Sequence, residues 1–211
     1  MRTASILALS ALALASPALA ESNAAKVRLT AQSDKGAILI RVPVQPFSYG
    51  LMFSKDGKSG FLSRVYVMQV KKGAPGDSWI ARTLAPGRYR LDSMWQQKRW
   101  SVCLESGTFE VEVRPGRIAY VGRLDTDALL ADLQRQAVAA GRTVVVGTAY
   151  YLSHNKTSVP PLGARDEAGL REARAFAEEG MNGSGRLVDL GAVKETSFAT
   201  SKSGKAIKVC G

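Results

Sequence analysis

Histidine occurs once in this chain, at His154, and cysteine twice, at Cys103 and Cys210. A zinc site of three histidines is therefore excluded, and a mixed site would have to consume both cysteines. Long apolar runs are missing as well. Beyond residue 20 no stretch approaches the ~20 apolar residues that a membrane-spanning helix needs. Runs of five or more like charges are also absent, so no dedicated basic or acidic tail is present. No metal, no cofactor and no nucleic acid partner is expected from such a chain.

What is present begins with a processing segment. Arg2 supplies a short positive region, residues 6–15 are apolar, and Ala18-Leu19-Ala20 is a small-x-small cleavage site. Residues 1–20 are expected to be a signal peptide cut after Ala20, leaving a soluble mature chain in the periplasm or outside the cell. About 190 residues remain, enough for one generous domain or a core domain with an extension. In an oxidising compartment the two cysteines have one available pairing, and a Cys103–Cys210 disulfide is predicted. Closing a loop of that length contributes about 4–5 kcal/mol in the chain-entropy model.

The net charge of +11 is uneven: 17 Lys/Arg against 9 Asp/Glu over residues 21–125, and 11 against 9 over residues 126–211. An exported basic protein meets anionic headgroups and wall polymers, so an envelope protein or an anionic envelope surface is the expected class of partner.

Period-two alternation dominates the first half. Val27, Leu29 and Ala31 alternate with polar neighbours over residues 26–32, and a turn at Ser33-Asp34-Lys35-Gly36 leads to a denser run at 37–44, which together read as a hairpin. Further strands are predicted at 47–53, 61–70, 78–83 and 99–104, where Trp100, Val102 and Leu104 share one face and Cys103 points to the other. Over residues 108–114, Phe109, Val111 and Val113 face inward and Glu110 and Glu112 face water. Residues 117–124 are apolar on both faces. A strand of that kind is central and needs a cover on each side, for which the C-terminal region is the candidate.

That region is predicted to contain helices at 125–141 and 166–179, each with a polar residue to cap it and apolar residues at helical spacing. A short β-branched run at 143–146 suggests one more strand. Residues 150–163 form a proline-bearing loop whose Tyr150, Tyr151 and His154 are the candidate binding residues, because loop aromatics are available to a ligand. The tail from 182 is expected to be mostly loop, pinned by Cys210. Trp79, Trp95, Trp100, Tyr89 and Tyr120 fall on predicted core faces and are assigned to packing.

Catalytic motifs are thin. Gly76-Asp77-Ser78 matches the start of a serine-hydrolase signature, but the strand leading into it is interrupted by Gly73-Ala74-Pro75, and the position three before His154 is Tyr151 rather than an aspartate. A hydrolase using Ser78 or His154 is thus the alternative, and no residue is expected to be catalytic. Glu110 and Glu112, two apart on one strand face, are solvated charges rather than paired carboxylates.

Two Pro-Gly-Arg turns, Pro86-Gly87-Arg88 and Pro115-Gly116-Arg117, punctuate residues 84–124. With Trp79-Ile80-Ala81, Leu84-Ala85 before the first turn and Tyr89-Arg90-Leu91 after it, then Cys103, Phe109-Glu110-Val111 and Ile118-Ala119-Tyr120-Val121-Gly122, they make a pattern. It resembles a β-sandwich domain of unknown function found in bacterial envelope proteins and lipoproteins. More distantly it is similar to transthyretin-like and carboxypeptidase-regulatory-like sandwiches, which share a Leu-x-Pro-Gly-x-Tyr hairpin. The resemblance spans residues 27–124 and brings no catalytic residue; this chain also lacks the anchoring cysteine of the lipoprotein members. The expected architecture is an antiparallel β-sandwich of seven to nine strands over residues 21–124. Residues 125–211 form an α-containing extension packed on it and tied by the disulfide. The expected function is non-enzymatic binding or assembly in the envelope.

Overall fold

The computed structural model describes residues 23–55, 65–96, 99–104, 106–139, 152–154 and 158–196. The chain is mainly β, with two sheets and two helices in its C-terminal part. The strands are β1 (Gly36–Val44), β2 (Tyr49–Lys55), β3 (Val65–Val70), β4 (Gly76–Leu84), β5 (Gly87–Gln96), β6 (Trp100–Cys103), β7 (Thr108–Val113) and β8 (Ile118–Leu124). After helix α1 (Asp127–Ala139) come β9 (Leu152–His154), β10 (Leu162–Gly163), helix α2 (Glu167–Gly180), β11 (Val188–Leu190) and β12 (Val193–Thr196). The first sheet runs β10-β8-β1-β4, with β11 also beside β8; the second runs β12-β7-β5-β2-β3, with β6 beside β5 and β9 beside β6.

Alternation on the strands builds the space between the sheets. Ile38, Ile40 and Val42 of β1 and Ala119 and Val121 of β8 meet Leu51, Phe53, Leu91, Phe109 and Val111 of the second sheet. Trp100, Val102 and Leu104 are fully buried in the same core, as their spacing predicts. A fully buried Ile, Leu or Phe contributes about 1.5–3 kcal/mol over its exposed state, and this layer holds many.

The first sheet is apolar on its outer face too. Ala37, Leu39, Ile118 and Tyr120 pack there against Leu170, Ala173 and Ala177 of α2, with Met181, Leu187 and Val188. β8 is therefore covered on both sides, by the second sheet and by α2, as its two-faced pattern requires. Asp166 caps α2 by accepting from Gly169 N at 2.8 Å. Trp79 stacks on Phe176 of α2, with ring centroids 5.1 Å apart and planes at 14°. These contacts fix the helix on the sheet.

Four expectations change. Residues 27–32 are not a strand: they follow a short 3-10 turn (Asn23–Lys26), and Val27 is buried in the outer core instead of pairing with β1. The sheets are mixed, because β1 pairs with β8 in parallel, as do β11 with β8 and β9 with β6. The described residues hold twelve strands, more than the seven to nine expected, because the C-terminal part adds β9 and β12 to the second sheet and β10 and β11 to the first. It adds strands to both sheets and covers the outer face of the first with α2.

The fourth is the hairpin that the resemblance implies at the first Pro-Gly-Arg turn. Neither Pro-Gly-Arg turn makes a hairpin within a sheet. The first joins β4 to β5 and the second joins β7 to β8, and in each case the two strands belong to different sheets. Both turns are arches that carry the chain across the sandwich. At the second, Gly116 has φ +64°, donates to Lys35 O at 2.8 Å, and lies so close to Ala31 that a Cβ would fall 2.3 Å from its carbonyl oxygen. Glycine is required there by both conformation and space.

Candidate functional site

Ser78 lies within β4, opposite Val42, on a strand at the edge of the first sheet. The hydrolase motif would need a strand running directly into it, whereas Gly76 to Ser78 are themselves the first residues of β4. Its neighbour Asp77 is engaged structurally. The Asp77 carboxylate pairs with Arg41 Nε at 2.7 Å and accepts from Arg123 Nε at 3.1 and 3.0 Å. Arg123 reaches on to Asp125 and Asp127, each at 3.1 Å, and Arg41 to Glu172. The network ties β1, β4 and β8 to the start of α1 and, through Glu172, to α2. Its carboxylates hold the Arg123 guanidinium well above its ordinary range, with the Asp77 hydrogen bond the largest cause and burial opposing it.

His154 is on β9, in register with Val102 of the second sheet. β4 packs on β1, β3 and the N-terminal turn, whereas β9 packs on β6. The fold thus sets Ser78 and His154 on different sheets, without a pairing between their strands. Tyr150 and Tyr151 lie outside the described residues, as do residues 143–146 and Cys210. Cys103 is buried on the face of β6 opposite Trp100 and Val102, at 1% exposure. That same outer face of the second sheet buries an ion pair, Arg90 Nε to Asp92 Oδ1 at 2.7 Å. Burial raises the Asp92 carboxyl above its usual range, against hydrogen bonds from Ser54 and Arg90 that lower it.

A concavity among the described residues lies elsewhere. It is a cleft of about 820 Å³ at one flank of the sandwich, where the two sheets part. That volume is within the range of ligand sites. Phe109 and Thr108 of β7 form its floor, Val193, Glu195 and Thr196 of β12 one wall, and residues 158–162 the other. This second wall crosses from one sheet to the other. Val159 N donates to Gly107 O at 2.7 Å beside β7, and Leu162 pairs with Leu124 at the end of β8. β9 stands beside β6 on the flank where β12 stands beside β7.

Arg165 closes one end. β8 has β11 along its first half and β10 along its second, and the gap between them falls at Val121 and Gly122. The guanidinium fills that gap: Nη1 donates to Val121 O and Nη2 to Gly191 O, the latter at 3.0 Å. Gly122, with φ +117°, leaves room for it, since a Cβ there would meet Arg165 Cγ at 2.7 Å. Tyr120 Oη donates to Ala164 O at 3.0 Å and holds the backbone just before it. Burial lowers the Arg165 pKa, and among the described residues no carboxylate pairs with it. A guanidinium has five N–H donors, so several remain for a ligand.

Chemically, then, the cleft offers an apolar floor, a hydroxyl at Ser158, a positive end at Arg165 and a carboxylate at Glu195. Its described lining contains no histidine, cysteine or aspartate. Among the described residues no cluster of three or more His, Cys, Asp or Glu is placed to hold a metal ion. No helix there is long and apolar enough to cross a membrane. None of the expected binding residues, Tyr150, Tyr151 and His154, is among the described lining of the cleft, and sequence reasoning missed Arg165 and Glu195. Arg165 stands between Gly163-Ala164 and the capping Asp166, where it reads as an ordinary helix-flanking cation. No protein-family model, curated protein or solved structure matches the chain.

Proposed function

We propose that this chain is an exported, non-enzymatic protein of the bacterial envelope, acting in the periplasm or outside the cell as a binding or assembly domain for another envelope protein. The observation that carries this reading is the flank cleft with Arg165 at its end, a concave and partly apolar site lined by strands of both sheets. The sequence supports the location through residues 1–20 and the Ala18-Leu19-Ala20 motif, and the likeness to envelope sandwich domains points the same way. A Cys103–Cys210 disulfide belongs to the proposal, since Cys103 is buried on a sheet face away from the main core. An anionic surface is a second class of partner, motivated by the net charge of +11.

The test is affinity capture from the native envelope with the tagged protein and with Ser158→Trp, which fills the cleft from an exposed wall position. Capture of one envelope protein that falls at least fivefold with Ser158→Trp supports the reading; equal capture, or none, overturns it. Binding to anionic polymer that does not weaken from low to high salt would exclude the surface-charge contribution. A folded Ser78→Ala/His154→Ala double variant that loses a measured turnover would establish the hydrolase alternative.

A further inference from the structure

We propose that the flank cleft captures the free C-terminus of an extended peptide, which adds as an antiparallel strand to β12 and places its terminal carboxylate against Arg165. The inference rests on the binding-domain reading above and names the chemistry of the partner.

The first support is the hydrogen-bond phase of β12. Its register with β7 sets Val193 opposite Val111 and Glu195 opposite Phe109, and Glu112 N donates to Ala192 O at 3.2 Å. In an antiparallel ladder, bonded and non-bonded pairs alternate. If residue 192 bonds toward β7, so do 194 and 196, while the main-chain groups of Val193 and Glu195 point away from it. Among the described residues no strand pairs with that edge. Such an edge accepts an extended chain through its backbone, and the pockets beside it select side chains.

Polarity of the strand supplies the second support. Arg165 binds Gly191 O, just before the first residue of β12. A peptide running antiparallel to β12 therefore ends at that point, and its carboxylate arrives beside a guanidinium that has no acidic partner among the described residues. Carboxylate and guanidinium suit each other in shape as well as charge.

Register then assigns the side chains. With the terminal residue opposite Val193, the peptide residue opposite Glu195 is third from the end. Directly opposed side chains share a face and interact, so a lysine or arginine is favoured there. The terminal side chain lies on the same face, toward the apolar surface of Val193, Phe109 and Leu162. A terminal valine or leucine fits that surface.

The experiment uses a fluorescein-labelled hexapeptide ending in lysine-threonine-valine and the full mature protein, read by fluorescence anisotropy. Converting the terminal carboxylate to an amide should weaken binding at least tenfold, and replacing the lysine by glutamate at least threefold. Glu195→Lys, an exposed change that spares the fold, should reverse the lysine-over-glutamate preference. Arg165→Gln also removes ligands of Val121 O and Gly191 O, so Glu195→Lys carries the test where that variant is unstable. Equal binding of acid and amide overturns the proposal, as does an unchanged preference in Glu195→Lys, or a cleft that takes a fluorescent fatty acid but not the peptide. If the peptide fails while Ser158→Trp still abolishes envelope capture, the binding-domain reading survives and this inference does not; failure of both ends both.

Discussion

Substituting Gly116 by alanine isolates what the second Pro-Gly-Arg turn does. Two costs are visible in the structure. Gly116 sits at φ +64°, and holding an L-residue in that left-handed region costs about 1–2 kcal/mol. The added Cβ would also fall 2.3 Å from Ala31 O and 2.8 Å from Ala31 C, which are backbone atoms that cannot swing aside as a side chain could. Relieving that contact must shift the 27–34 segment or the arch, and the shift endangers the Gly116 N to Lys35 O bond, worth about 0.5–1.5 kcal/mol net. Together these give a destabilisation of about 2–4 kcal/mol. For a domain of this size the corresponding fall in Tm is roughly 4–16 °C. Gly163→Ala is the internal control, since a Cβ there meets no heavy atom within 4 Å and its φ is not positive. Urea denaturation followed by circular dichroism would measure both. A Gly116→Ala variant within 0.5 kcal/mol of the parent, or one no worse than Gly163→Ala, would refute the claim that this turn is a sterically required arch.

Two further outcomes follow from the buried face of the second sheet. Asp92 has its folded pKa raised above 3.8 by burial, so its contribution to stability is fully present below the unfolded value and is lost as pH rises through the folded one. Asp92→Asn, which cannot titrate, should therefore compare least favourably with the parent near pH 4 and gain on it toward pH 7; the reverse trend in paired urea midpoints would show that the Arg90 pairing outweighs burial. Cys210→Ser should cost about 4–5 kcal/mol if the Cys103–Cys210 bridge forms, and non-reducing mass spectrometry that finds two free thiols in the native protein would remove that expectation.

The parts of this fold that could be read in advance are those where periodicity and burial coincide. Phe109, Val111 and Val113 alternate because one face of β7 meets water and the other the core, and the pattern states the geometry directly. β8 could be read for the opposite reason: with Ile118 and Tyr120 on one face and Ala119 and Val121 on the other, both had to be covered. Only the identity of the cover was open, and α2 supplies it. Residues 27–32 show where the same rule fails. Val27 is buried, but by the outer layer beside α2, and an alternating hexapeptide cannot say whether its apolar residues meet a neighbouring strand or a helix.

The Pro-Gly-Arg turns were legible as turns, and the hairpin that the resemblance implies at the first does not form, because φ preferences fix the local reversal and not the partner of the next strand. Partner choice is decided at long range, by the parallel pairing of β1 with β8 that draws β8 into the other sheet. The candidate site fails to show in the sequence for the same reason. Arg165, Glu195 and Phe109 lie on α2's approach, β12 and β7, and nothing in their spacing brings them together. What joins them is the insertion of β10 and β12 at the edges of two different sheets. A site built at the edge of a sandwich depends on where late strands dock, so it is set by the step of folding about which local sequence says least. On the proposed binding reading, the residues that would select a partner are those of β10, Arg165 and β12 in the C-terminal third, and not the better-patterned strands that frame them.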